Sequence, residues 1–238
     1  MLAMDVTPLP LVRAGSLAWI DTAQMVEVDR VMVEDLHIQL VQMMENAGRN
    51  LARLVVALHR PATVAVYAGS GGNGGGGLVA ARHLANHGVE VTVVTTRPRD
   101  EMTPVPAHQL DIVERMGIAV GGADPGAEVA VDAVIGYSLR GAPQGRSAEL
   151  IGAVNAHPDV VSLDVPSGLD TGTGQTPGVH VRAGATLTLA MPKVGLRGRP
   201  EVGRLFLGDI SVPAAVYDAF GASVPPTLFA DGPVLEVR

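Results

Sequence analysis

Cysteine is absent from this 238-residue chain, and lysine occurs only once, at Lys193. The lack of cysteine excludes disulfide bonds, thiol nucleophiles, and zinc or iron–sulfur sites built on cysteine. Aromatic residues make up only 3% of the chain and charged residues 17%, whereas hydrophobic residues reach 47%. We therefore expect a core of mainly valine, leucine, alanine and methionine, and chemistry carried by oxygen and nitrogen groups.

Long apolar runs are lacking as well. No run approaches the roughly 18 residues that a membrane-spanning helix needs, and the first residues lack the charged and apolar regions of a secretory signal. The 17 basic against 24 acidic residues give a net charge of −7, which argues against a surface that coats nucleic acid. These features predict a soluble, cytoplasmic protein with no membrane or nucleic-acid partner, and the length favours one domain.

Short apolar stretches alternate with amphipathic ones over most of the chain. Residues 1–20 show no clear period, and we treat them as an N-terminal arm before a single domain at 21–238. Helices are expected from Asp21, with Thr22 as the cap, and over 38–58, 78–87, 108–116 and 147–156; strands are expected over 63–67, 89–95, 129–135, 160–163, 185–190 and 204–207. This alternation predicts a Rossmann-like, doubly wound α/β fold, a mostly parallel sheet with helices on both faces.

Glycine is concentrated between the first expected strand and the helix at 78–87, where seven of the nine residues from Gly69 to Gly77 are glycine. The pattern G-x-G-x-x-G in this position lets backbone N–H groups approach a phosphate at a helix N-terminus. A flexible turn is the alternative. Arg97 and Arg99 follow the next strand, where an NAD-binding fingerprint has an acid, so an NAD dehydrogenase is disfavoured and an NADP-dependent oxidoreductase stays open.

Asp132 and Asp164 each follow a run of apolar strand residues. Because the carboxyl ends of parallel strands share one edge, we expect both aspartates and the glycines to converge there. A buried carboxylate needs a cation, hydrogen-bond donors or a proton, so Asp132 is a metal ligand, a general acid or base, or a carboxylate held only by loop N–H groups. Asn73, Asp132 and Ser167 offer hard oxygen ligands, which suit an alkali or alkaline-earth cation better than zinc.

Lys193 follows the strand expected at 185–190. A lone lysine is most often a solvated surface residue. Its compact charge is not duplicated by arginine, however, and every other Lys or Arg position in this chain is arginine, so Lys193 is a candidate for a specific role.

Five motifs occur in a recognisable order. They read Met44-Glu45-Asn46-Ala47-Gly48, GGNGGGGLVAARHL at 71–84, Val131-Asp132-Ala133, DVPSGLD at 164–170, and PKVGL at 192–196. Together they resemble the YjeF N-terminal domain family, the NAD(P)H-hydrate epimerases, and the likeness runs over about 21–217.

The resemblance implies a Rossmann-like domain that interconverts the R and S forms of hydrated NADH or NADPH. It also implies a potassium ion held by Asn73, Asp132 and Ser167, a homodimer, and a separate NAD(P)H-hydrate dehydratase as the pathway partner. Epimerising a hydrated carbon needs a proton donor and acceptor; Asp132 is our catalytic candidate, either as the group that transfers the proton or only as a holder of the cation. The expected substrate-binding residues are Gly72, Asn73, Gly74, Gly75, Gly76, Gly136, Tyr137, Ser138, Leu139, Arg140, Gly141, Ala142, Asp164 and Lys193.

The glycine segment departs from the family pattern at two positions. The family usually reads G-N-N-G-G-D-G, whereas Gly72 replaces the first asparagine and Gly76 replaces the aspartate here. Each lost side chain is expected to weaken ligand binding by about a kcal/mol or more. The departure supports an alternative interpretation, a noncatalytic nucleotide-binding or scaffold module of the same fold, and an NADP-dependent oxidoreductase is the third.

Overall fold

Stretches rich in valine, alanine and leucine form a nine-stranded sheet in the part of the chain that the structure, a computed structural model, describes: residues 9–122 and 124–238. The strands are β1 (Leu11–Val12), β2 (Thr63–Ala68), β3 (Glu90–Thr95), β4 (Ala119–Val120), β5 (Val129–Ala133), β6 (Asp159–Leu163), β7 (Ala185–Leu189), β8 (Arg204–Gly208) and β9 (Val234–Val237). Their order across the sheet is β1-β9-β8-β7-β6-β5-β2-β3-β4. Neighbouring strands run parallel except β8 and β9, so the prediction of a mostly parallel sheet is confirmed.

Helices cover both faces of this sheet. The α-helices of the described residues are α1 (Thr22–Arg30), α2 (Leu40–His59), α3 (Gly72–Asn86), α4 (Pro104–Arg115), α5 (Gly145–Val154) and α6 (Ala214–Asp218). Alternate side chains of a strand point to opposite faces. Val64 and Val66 of β2 pack with α2, α3 and α4, whereas Ala65 and Tyr67 pack with α5. The doubly wound arrangement is therefore also confirmed.

From Gly72 onward the glycine segment is helical, and not the loop that the sequence predicted. Helix α3 begins at Gly72, six residues before the expected start at 78. Glycine is a poor helix former, but a larger residue does not fit here: a Cβ atom on Gly77 would lie 2.5 Å from the Cβ of Ala133, and one on Gly76 would lie 2.7 Å from the Cδ2 of Leu163. On the facing helix α2, a Cβ on Gly48 would lie 2.5 Å from the carbonyl oxygen of Gly76. Close packing of α3 thus overrides helix propensity.

The segment predicted as an N-terminal arm is partly built into the sheet. Leu11–Val12 pairs in parallel with β9, and Ile20 forms a bridge with Lys193. Helix α1 is capped by Asp21 instead of Thr22, because the Asp21 carboxylate accepts a hydrogen bond of 2.8 Å from the backbone N–H of Gln24. Residues 1–8 lie outside the described residues, and the boundary between arm and domain stays a prediction.

None of the helices within residues 9–122 and 124–238 combines the length and apolar character needed to cross a membrane.

Candidate functional site

The chain segments that follow β2, β5 and β6 meet at one edge of the sheet. Asp132 lies opposite Tyr67 on one neighbouring strand and opposite Ser162 on the other. The chain then leaves β2 for the N-terminus of α3, β5 for a loop at 134–144, and β6 for the DVPSGLD motif. The structure therefore brings the glycine segment, Asp132 and Asp164 together as the parallel arrangement predicts.

A cleft with about 640 Å³ of empty space opens between α1, α2, α3 and these segments. Its polar lining comprises Asp29, Asn73, Tyr137, Ser138 and Asp164, together with backbone at Gly72, Gly76 and Gly136, and its apolar lining comprises Met25, Leu40, Met43, Met44, Ala47, Leu163, Leu189 and Ile210. Of the expected substrate-binding residues, Gly74, Gly75, Leu139, Arg140, Gly141, Ala142 and Lys193 do not line it. The cleft thus joins an apolar wall to a polar end that holds two carboxyl groups.

Asp132 is fully buried and does not line the cleft. Its carboxylate accepts four hydrogen bonds: 2.8 Å from the hydroxyl of Ser162, 2.8 Å from the N–H and 2.5 Å from the hydroxyl of Ser167, and 3.3 Å from the N–H of Val134. In the described part of the chain, no lysine or arginine pairs with it. Burial raises the pKa of Asp132, and the four hydrogen bonds offset part of that rise. The arrangement suits a structural anchor or a ligand for a cation.

Asp164 and Lys193 form a buried ion pair at the cleft. The Nζ atom of Lys193 donates 2.5 Å to the Oδ1 atom of Asp164 and 2.8 Å to the carbonyl oxygen of Leu189. Lys193 is fully buried, so the lone lysine is not the solvated surface residue that such a position usually holds. Asp164 has a φ of +67°, a conformation that costs about 1 kcal/mol or more in a residue other than glycine. The surrounding contacts therefore hold Asp164 against local strain.

Asp29 is a second carboxyl group of the cleft, and the sequence analysis did not identify it as a candidate site residue. It lies on α1, and its Oδ2 atom accepts a hydrogen bond of 2.6 Å from the hydroxyl of Tyr137. The backbone N–H of the same tyrosine donates 3.0 Å to the Oδ2 atom of Asp164. Tyr137 therefore connects the two carboxyl groups. The signal in the sequence was weak, since Asp29 reads as one more polar residue on an amphipathic helix.

The three expected potassium ligands are only partly assembled. Ser167 and Asp132 are in direct contact, whereas no hydrogen bond links Asn73 to either of them in the described residues. Asn73 instead lies beside Gly136, where an added Cβ would be 3.3 Å from the Cγ of Asn73 and 3.2 Å from the Oδ2 of Asp164. The buried Nδ2 atom of Asn73 has no hydrogen-bond partner.

This donor set suits an alkali or alkaline-earth cation better than a transition metal. It offers carboxylate, hydroxyl and amide oxygens, and no group of three or more His, Cys, Asp or Glu residues that could hold a metal occurs within the described ranges. The buried carboxyl group of Asp132, enclosed by neutral donors alone, also matches a site that a cation would complete.

Arg97 and Arg99, the residues that kept an NADP-dependent oxidoreductase open, are engaged elsewhere. Arg97 pairs with Glu101 at 3.0 Å, and Arg99 pairs with Asp111 at 2.6 Å and Glu114 at 2.8 Å. Both arginines also lie outside the lining of the cleft. The structure therefore adds no support to the oxidoreductase interpretation.

Comparison with known proteins connects this chain to one family. A protein from Dehalogenimonas lykanthroporepellens named NAD(P)H-hydrate epimerase is 50% identical over 204 residues, which cover 82% of each chain. An NAD(P)H-hydrate epimerase from Truepera radiovictrix is 38% identical over 77% of this chain and 85% of its own. A bifunctional NAD(P)H-hydrate repair enzyme from Hyperthermus butylicus is 43% identical over 77% of this chain, and the match spans only 37% of that longer protein.

The fold and the family model agree with these matches. The crystal structure of the yeast protein Ynu0 superposes with a TM-score of 0.80 over 92% of this chain and all of its own, at 24% identity, which supports the fold alone. The model of the family described as YjeF-related protein N-terminus matches residues 40–195, a range that contains the glycine segment, both strand-end aspartates and Lys193. The chain belongs to the YjeF-related protein N-terminus family.

Proposed function

We propose that this protein interconverts the R and S forms of hydrated NADH and NADPH. The observation that carries the proposal is the Asp164–Lys193 ion pair, which presents a buried, oriented carboxylate to a cleft between the N-terminus of α3 and the loop at 134–144. Relatives at 50% and 38% identity bear the name NAD(P)H-hydrate epimerase. Family membership and site chemistry therefore favour the same reaction.

The walls of the cleft suit the two chemically different parts of a dinucleotide. The N-terminus of α3 presents free backbone N–H groups and the positive end of the helix dipole, which favour phosphate. Methionine and leucine side chains from α1, α2 and β6 offer apolar surface to a ring. We assign substrate contact to Gly72, Asn73, Gly76, Gly136, Tyr137, Ser138 and Asp164, which line the cleft, and to the exposed continuation of the same loop, Leu139–Ala142.

We further propose that Asn73, Asp132 and Ser167 hold a potassium ion. A bound potassium ion would supply a fixed positive charge behind the N-terminus of α3 and beside the loop that follows β5. Asp132 then has the role of a ligand and not of a proton carrier, since it is fully buried and does not line the cleft. Lys193 orients Asp164 through the hydrogen bond between them and does not itself line the cleft.

The direct test supplies the purified R hydrate of NADPH and follows the appearance of the S hydrate by chromatography, in potassium and in choline buffers of equal ionic strength. We expect interconversion well above the spontaneous rate and a higher rate in potassium. A rate equal to the uncatalysed one in both buffers would overturn the proposed activity. Equal but accelerated rates would overturn only the potassium site.

A second candidate function, binding without catalysis, rests on Gly72 and Gly76. An asparagine at position 72 meets only the end of Met44, at 3.6 Å from the new Cβ, whereas an aspartate at position 76 requires Leu163 to move. If the glycines have removed catalysis, Gly72→Asn together with Gly76→Asp should create epimerase activity that the wild type lacks. If the wild type is active, the same double variant reports how much the two side chains add.

We also propose the two partners that the family suggests. A separate NAD(P)H-hydrate dehydratase would consume the S hydrate, since the longer relatives of this chain are named bifunctional repair enzymes. Adding such a dehydratase should convert the whole mixture of R and S hydrates to NADPH only when the present protein is included. A homodimer would appear in light scattering as twice the chain mass of 24.5 kDa.

A further inference from the structure

The polar end of the cleft holds two carboxyl groups in unlike surroundings. Asp164 is paired with the buried ammonium group of Lys193 at 2.5 Å. Asp29 has no cationic partner among the described residues, and its carboxyl group accepts a hydrogen bond of 2.6 Å from the hydroxyl of Tyr137. Enzymes that need an acid and a base at one site commonly obtain them from two carboxyl groups whose environments separate their protonation.

Burial and three neighbouring groups shift the pKa of Asp29. Burial is the main influence and raises the pKa of Asp29, the hydrogen bond from Tyr137 lowers it, the negative charge of Asp164 raises it, and Lys193 lowers it. Burial and the neighbouring Asp29 likewise raise the pKa of the Tyr137 hydroxyl, which therefore stays protonated as a hydrogen-bond donor. The net result is that Asp29 keeps its proton to a higher pH than an exposed aspartate.

Tyr137 fixes the relation between the two acids. Its hydroxyl binds Asp29, its N–H binds Asp164, and its carbonyl accepts a hydrogen bond of 3.2 Å from Thr171. The residue also belongs to the loop expected to bind the substrate. Both carboxyl groups therefore face one ligand from positions set by a single residue.

The geometry points to Asp29 as the proton donor of this cleft, acting opposite Asp164 as the proton acceptor, with Tyr137 holding Asp29 in place. This inference rests on the proposed epimerase function and adds a residue to it. Asp132 takes no part in the proton transfers.

The hydrated carbon of the nicotinamide ring carries a hydroxyl group and a bond to the ring nitrogen. Asp164 takes the proton of this hydroxyl group, and the oxygen forms a carbonyl with the carbon. The carbon–nitrogen bond breaks, its electron pair stays on nitrogen, and the nitrogen takes the proton of Asp29. After rotation about the adjacent carbon–carbon bond, nitrogen attacks the other face of the carbonyl, returns its proton to Asp29, and the new hydroxyl takes the proton of Asp164.

The test compares wild type, Asp29→Asn, Tyr137→Phe and the control Glu34→Gln over a range of pH. Asparagine at position 29 still accepts the hydrogen bond of Tyr137 but cannot donate a proton, and Glu34 is an exposed acid on the turn after α1 that does not line the cleft. Removing a general acid typically costs about 100-fold or more in rate. We expect Asp29→Asn to lower kcat by about 100-fold, with the affinity for NADPH hydrate changed less than about threefold, and Glu34→Gln to match wild type.

The pH profile separates a proton donor from a residue that only supports the loop. Because the protonated form of Asp29 is the active one, kcat of the wild type should fall as pH rises through its pKa, and this fall should be absent in Asp29→Asn. Tyr137→Phe removes a hydrogen bond that lowers this pKa, so the fall should shift to higher pH.

The outcomes distinguish the two proposals. A wild type without epimerase activity overturns the proposed function together with this inference. An active wild type whose rate and pH profile are shared by Asp29→Asn overturns the inference alone. Equal losses in kcat and substrate affinity in Asp29→Asn, with the alkaline fall retained, would assign Asp29 a structural role and also overturn it.

Discussion

Asp132 and Asp164 stand two positions apart along neighbouring parallel strands, and this small offset places their carboxyl groups in opposite environments. Asp132 lies within β5 opposite Ser162, where neutral donors enclose it, whereas Asp164 lies just past the end of β6, where it reaches the cleft and the ammonium group of Lys193. The comparison shows that one residue type at one edge of a sheet is either enclosed by neutral donors or paired with a lysine and open to a cleft, according to where the strand ends.

The largest expected effect on stability comes from removing the ammonium group of Lys193. Lys193→Met should lower the free energy of unfolding by about 3–5 kcal/mol, because it leaves Asp164 buried without a partner. Urea denaturation followed by circular dichroism measures the change. Adding Asp164→Asn to Lys193→Met should restore more than half of the loss, and a single variant with a loss below about 1 kcal/mol would contradict a buried, charged pair.

Asp132→Asn should destabilise less, by about 1–3 kcal/mol, because some of its four donors lose an acceptor while a buried charge is removed. Burial raises the pKa of Asp132, so in potassium-free buffer its contribution to stability is full below the ordinary value of 3.8 and declines as pH rises. The gap between wild type and variant in unfolding free energy should therefore narrow with rising pH. A gap that widens would mean that Asp132 is ionised and stabilised by a cation even in that buffer.

Ser162→Ala removes one hydroxyl from Asp132 and nearly preserves volume. We expect a loss of about 1–2 kcal/mol, larger than for an ordinary neutral hydrogen bond if the carboxylate is charged. The melting temperature of this variant in potassium and in choline provides the measurement. A loss equal in size to the error of the experiment would indicate that the other three donors suffice.

Arg97→Gln is expected to change the free energy of unfolding least among these variants. The ion pair between Arg97 and Glu101 is exposed, so its removal should change the free energy of unfolding by less than about 0.5 kcal/mol. The same urea titration serves as the readout. If Arg97→Gln lowered the free energy of unfolding as much as Lys193→Met, burial would not explain why the Asp164–Lys193 pair contributes more than the Arg97–Glu101 pair.

The order of strands and helices in the described residues follows from local patterns, and so does the shared edge that holds Asp132 and Asp164. Strong apolar periodicity predicts β2, β3, β5 to β8 and most of α2 within two residues at nearly every end. The short strands β1, β4 and β9 were missed, because two to four residues at the margins of a sheet carry little pattern of their own.

The site was less predictable, because its key features depend on contacts between distant segments. The helical state of Gly72–Gly77 arises from packing against α2 and β5, and local propensity opposes it. Asp29 became a site residue only because α1 lies against the loop after β5. Lys193 was singled out by its rarity, but its burial became evident only from the three-dimensional arrangement.

The glycine-built start of α3 has a consequence for how this protein tolerates mutation. Its surface toward a ligand is largely backbone, so it has few side chains of its own through which selection could adjust affinity. The position of that backbone is set by direct contact with Gly48 on α2 and Ala133 on β5. Enlarging either neighbour should displace the amides that face the cleft, so a substitution at a residue outside the cleft can change its shape.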